Sequence, residues 1–61
     1  MNEYQDQVLW WEVQMHIWPS QWTYYSDHDS REDAEEWKAQ YEEMMPHETF
    51  RVIRVTGLDA A

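Results

Sequence analysis

The groups in this chain that can take part in chemistry are carboxylates and three histidines. Asp27-His28-Asp29 sets an imidazole between two carboxylates, the ingredients of a metal site or an acid/base dyad. Glu35-Glu36 and Glu42-Glu43 are carboxylate pairs of the kind used in general acid–base work. Each constellation needs an element that makes its members converge. On a strand, consecutive side chains point to opposite faces, so Asp27, His28 and Asp29 do not aim at one point. His16 and His47 stand at no ligand spacing from them. A carboxylate pair needs a pocket that separates its two pKa values, and 61 residues leave little room for one. A single Gly rules out a phosphate loop, and there is no Cys–His pair and no serine elbow. The reading is no metal, no cofactor and no enzyme. The carboxylates form a surface to be met by a partner.

The element that carries most of that surface is a helix over residues 30–45. Asp29 or Ser30 can accept the first open backbone N–H groups, Glu32 or Asp33 follows at capping-box distance, and Pro46 marks the stop. Ala34, Trp37, Tyr41, Met44 and Met45 recur at three- and four-residue steps and form one stripe. Glu32, Asp33, Glu35, Glu36, Glu42 and Glu43 point away from it, offset only by Arg31 and Lys38. Before the helix, residues 7–18 alternate with a period of two, the odd positions Leu9, Trp11, Val13, Met15 and Ile17 making the drier face. Pro19 and Ser20 break this strand, and residues 21–26 form a second, aromatic one. Residues 49–56, TFRVIRVT, form the third, ended by Gly57. Arg51 and Arg54 face opposite ways on it and neutralise nearby carboxylates. The order is β-β-α-β, an α+β fold. A helical crossover from the second strand to a parallel third strand places the third beside the first, giving sheet order 2-1-3 with the helix on one face. Residues 1–61 form one domain, with 1–6 and 58–61 flexible.

The other sheet face then has no cover, and Trp10, Trp18, Trp22, Phe50 and Val52 are the candidates to line it. Soluble monomers rarely expose so large an apolar patch, and a chain of 61 residues has a thin core. A two-fold homodimer through this face answers both needs, with pairing of helices through Trp37 and Tyr41 as the other geometry. The absence of cysteine fits a reducing cytoplasm. No apolar run is long enough for a membrane span, and the first residues lack the features of a signal peptide.

Thirteen acidic against four basic residues give a net charge of −9, which argues against direct nucleic-acid binding and in favour of basic protein surfaces. Helical carboxylates step at about 1.5 Å per residue, and duplex DNA carries one negative charge per about 1.7 Å of axis. A row of Glu32, Glu35, Glu36, Glu42 and Glu43, doubled by a dimer axis, can imitate phosphate backbone, with Asp33 beside it. The stretch QWTYYSDHDSREDAEEWKAQY resembles the second strand and helix of the small, acidic, dimeric phage proteins that inhibit uracil-DNA glycosylase. The resemblance is one of pattern, spanning residues 9–55, and includes length, lack of cysteine, element order and an aromatic pair at i, i+4. It implies a stoichiometric DNA-mimic inhibitor made in a bacterial host cell. Trp37 and Tyr41, with Tyr24, would form an apolar cleft for a side chain of the enzyme, and the acids would replace phosphates. Where the family has a glutamate after the first aromatic of the pair, this chain has Lys38, leaving Glu36 or Glu42 for that role. Two other readings share the composition: a phage or mobile-element inhibitor of another host nucleic-acid machine, and a homodimeric interaction module whose charge serves solubility.

Overall fold

A computed structural model of the chain describes residues 7–57; the segments 1–6 and 58–61, expected to be flexible, lie outside the described residues. Four elements follow one another: β1 (Val8–Ile17), β2 (Gln21–His28), α1 (Arg31–Met44) and β3 (Phe50–Thr56). They form a three-stranded sheet of order β2-β1-β3. Both β2 and β3 pair antiparallel with β1, so they run parallel to each other. The helix is the crossover that carries the chain from one edge of the sheet to the other. The α+β reading and its strand order hold. The helix is not long and apolar enough to cross a membrane, which holds for every helix among the described residues.

The alternation of β1 decides which side the helix covers. Val13 is fully buried with Ala34 and Phe50, and Trp11, Met15, Tyr41, Met45 and Val52 pack around them. Ala34 is the small residue that lets the helix come close to the sheet. Its neighbour on the stripe, Tyr41, fills the space beyond it. Burying side chains such as Val13 and Phe50 stabilises the fold by roughly 1.5–3 kcal/mol each. Met44, expected on this stripe, is 63% exposed instead. Met45 takes its place, because the helix ends there and its C-cap geometry turns the chain inward, with the Met45 N–H held by the Tyr41 carbonyl.

Two residues assigned to the uncovered face belong under the helix. Phe50 lies opposite Met15, and Val52 opposite Val13, so both share the covered side. The sequence TFRVIRVT is apolar on both parities, and only pairing with β1 fixes which parity faces inward. Ile53 and Val55 take the open side, opposite Glu12 and Trp10. The pairing is irregular in β1, between Val8 and Trp10, and again in β2. Val13 pairs with Ser26 and Gln14 with Tyr24, so Tyr25 is the extra residue of a bulge. Its ring lies edge-on to Tyr41 at 4.7 Å and to Phe50 at 5.4 Å. Tyr24 consequently stands on the open face and cannot join Trp37 and Tyr41 in one cleft.

Candidate partner-binding surface

The helix start is built from Ser30. Its hydroxyl accepts the Asp33 N–H at 3.1 Å, the N-cap bond that sequence spacing called for. The Asp33 carboxylate does not complete the reciprocal half of a capping box. It reaches His28 Nδ1 at 2.8 Å, which ties the end of β2 to the first turn of α1. Farther along, Arg31 approaches Glu35 at 3.7 Å and Lys38 approaches Glu42 at 3.0 Å, both at i, i+4. Among the described residues, Glu32, Glu36 and Glu43 have no cationic partner. At about 100° per residue these three fall within about 40° of one line along the helix, spread over about 16 Å of axis. They make the outermost stripe, and all three are exposed.

Trp37 borders this stripe. It is 46% exposed, so it is neither core nor free, and it is held from two sides. The His28 ring stacks on it at 6.3 Å and 20°, and Tyr41 leans against it at 5.8 Å. Glu36, Trp37 and Gln40 line a shallow, open concavity of about 420 Å³. Tyr41 contributes less to this surface than its spacing suggested, because it packs inward against Phe50 and donates its hydroxyl to Ser26 Oγ at 3.0 Å. Ser26 Oγ in turn lies 2.8 Å from His28 Nε2. A hydrogen-bonded chain thus runs Tyr41, Ser26, His28, Asp33. Ser26 was not singled out by the sequence. The signal was there: residues two apart on a strand share a face, so Ser26, and not Asp27 or Asp29, is the neighbour His28 can meet.

The open sheet face is a polar network with aromatic walls. Glu12 is only 9% exposed, accepting Trp10 Nε1 at 3.1 Å and Gln14 Nε2 at 2.8 Å. Arg51 Nε donates to Gln14 Oε1 at 2.8 Å, and its guanidinium lies 4.1 Å from the Trp22 ring centre. It does not neutralise a carboxylate, as expected of it; stacking on an indole replaces that role. His16 also meets Trp22, edge-on at 5.1 Å. Trp10 and Trp22 are therefore half-buried within one chain, whereas Trp18, in the turn between β1 and β2, is 84% exposed. The Tyr24 phenol on this face is raised above its ordinary value of 10.0, first by desolvation and then by the Asp27 carboxylate beside it, with Glu12 adding in the same direction.

Among the described residues no three His, Asp or Glu side chains converge as a metal site would require. No protein-family model matches the chain, and no curated protein and no solved structure matches it.

Proposed function

We propose that this chain is an acidic DNA mimic that binds a basic DNA-recognising host enzyme stoichiometrically, with uracil-DNA glycosylase as the first candidate. The observation that carries the reading is one helix edge that presents Glu32, Glu36 and Glu43 without cationic partners beside the half-exposed Trp37. The carboxylates would steer a cationic groove into encounter, and an indole held by His28 would slow release. Glu36, which lines the concavity with Trp37, suits the role left open by Lys38 better than Glu42, whose carboxylate Lys38 already engages.

The active form in this reading is a homodimer in the cytoplasm of a bacterial host. Three carboxylates over about 16 Å give one charge per about 5.5 Å, sparser than the one per about 1.7 Å of duplex DNA. A second copy is needed to approach that density. Trp18, exposed in the turn beside the sheet, and Tyr24, exposed on the open face, supply apolar contacts for it, and the half-buried Trp10 and Trp22 flank them. Lys38 in place of a glutamate favours a second reading, the same mimicry aimed at another host nucleic-acid enzyme.

The test is a uracil-excision assay with purified bacterial uracil-DNA glycosylase titrated with this protein, with complex mass from size exclusion and light scattering. Full inhibition at one enzyme per dimer supports the first candidate. Excision unchanged at excess inhibitor, with no complex, removes that target.

A further inference from the structure

We propose that Ser26 is an activated nucleophile, with Ser26, His28 and Asp33 acting as a triad that transfers the acyl group of small activated esters to Ser26 Oγ. This does not rest on the inhibitor reading. With the His28 ring neutral, chemistry sets the direction of each hydrogen bond. A carboxylate only accepts, so the proton between His28 Nδ1 and Asp33 Oδ2, 2.8 Å apart, sits on the imidazole. In the neutral ring Nε2 is then the acceptor, and the hydrogen between it and Ser26 Oγ, also 2.8 Å away, belongs to the serine. Serine oxygen, base and orienting carboxylate stand in the order that nucleophilic catalysis uses.

The surroundings hold this arrangement still. The His28 side chain is 9% exposed, stacked on one face by Trp37 and held at both nitrogens. Asp33 is fixed because its own N–H is bound to the Ser30 cap. Ser26 is only partly buried and lies on β2, an edge strand that the helix covers less than it covers β1 and β3. The proposed reaction requires a small ester to approach Ser26 from that edge.

In the acylation step Ser26 Oγ forms a bond to the ester carbonyl carbon while His28 Nε2 takes the hydroxyl proton. The carbon–alkoxy bond breaks and the leaving alkoxide takes that proton from His28. Water, giving a proton to His28, then attacks the acyl carbon, the carboxylic acid leaves, and Ser26 recovers its hydrogen. One ester and one water become one acid and one alcohol. The Tyr41 hydroxyl, 3.0 Å from Ser26 Oγ, is the donor within reach of the oxyanion that forms beside that oxygen.

The experiment treats the full chain with an alkyl fluorophosphonate, which forms a P–O bond at an activated serine and releases fluoride, and reads intact mass and peptide map. Turnover of 4-nitrophenyl acetate is followed in parallel. One phosphonyl group per chain at Ser26 is expected, absent in Ser26→Ala. Asp33→Asn, a change at an exposed carboxyl outside the core, slows labelling by about 100-fold or more with far-ultraviolet circular dichroism unchanged. Tyr41→Phe leaves Ser26 labelled and lowers ester turnover. No adduct, an adduct on Ser20, Ser30 or a tyrosine instead, or Asp33→Asn labelled at the wild-type rate overturns the proposal.

Discussion

If the helix edge imitates phosphates, carboxylates on the outer stripe must count for more than carboxylates on its flanks. The triple change of Glu32, Glu36 and Glu43 to Gln tests this against the double change Glu35→Gln and Glu42→Gln. All five positions are exposed helix sites, and Gln matches Glu in helix propensity. The two flank residues lie about 60–80° round the helix from Glu32 and carry the i, i+4 pairs with Arg31 and Lys38. A partner cation meeting the stripe at about 7 Å interacts with each charge by about 0.5 kcal/mol in 10 mM salt and about 0.25 kcal/mol in 150 mM. The triple variant should then bind about 10-fold more weakly at low salt and about 3-fold at 150 mM. At about 12 Å the flank pair should cost about 2-fold and about 1.3-fold. Superposition makes the distinction strict: pairing with Arg31 or Lys38 does not alter the field lost when a carboxylate goes, and only distance to the partner does. The assay is the inhibition constant from uracil excision at the two salt concentrations, with association rates by stopped flow. Equal loss per charge in the two variants would mean that net charge alone acts, and the mimicry of a phosphate row would be wrong.

Other outcomes follow from single contacts. Phe50→Ala empties the middle of a three-residue core and should cost about 3–5 kcal/mol; urea unfolding followed by Trp fluorescence should show the midpoint collapse or vanish. Trp37→Ala should change stability by about 1 kcal/mol, the worth of its stacking on His28 and Tyr41, yet weaken inhibition by about 30-fold if the indole is an anchor. Comparable loss in both measurements would make Trp37 a structural residue. Ser30→Ala removes the N-cap bond to Asp33 and should lower stability by about 1 kcal/mol. The Tyr24 phenol is raised in the folded chain, so the native state holds that proton more tightly than the unfolded state. Its contribution is present below pH 10 and is lost as pH rises through the higher folded value. Asp27→Asn should bring the tyrosinate absorbance transition of Tyr24 to lower pH and lessen alkaline destabilisation.

Features set by a residue and its near neighbours in the chain were legible before the fold was known. The alternation of β1 from Trp10 to Met15, the Ser30 cap and the stop before Pro46 each have a local cause and stand where expected, whereas Leu9, at an irregularity of β1, and Ile17 are exposed and not on a dry face. What escaped depended on which residue lies opposite which. The bulge at Tyr25 leaves no mark in QWTYYSDH, yet it moves Tyr24 to the open face and sends Tyr25 against Tyr41 and Phe50. The parity of β3 is undecided by composition, since Phe50 and Val52 are no more apolar than Ile53 and Val55. The same register that misplaced those residues created the chain of polar contacts around His28. Had β2 continued without a bulge, its alternation beyond Tyr24 would be inverted, and Ser26 and His28 would face away from Tyr41 and Asp33. By absorbing Tyr25, the bulge thus keeps Ser26 and His28 on the helix side, where the aromatic edge of the helix and the Ser26–His28–Asp33 chain meet. Deleting Tyr25 should therefore straighten β2 yet leave Ser26 opposite Val13 and His28 opposite Trp11, preserving the Trp37–His28 stack and any reactivity at Ser26, whereas deleting Asp27, which brings His28 opposite Glu12 on the open face, should abolish both.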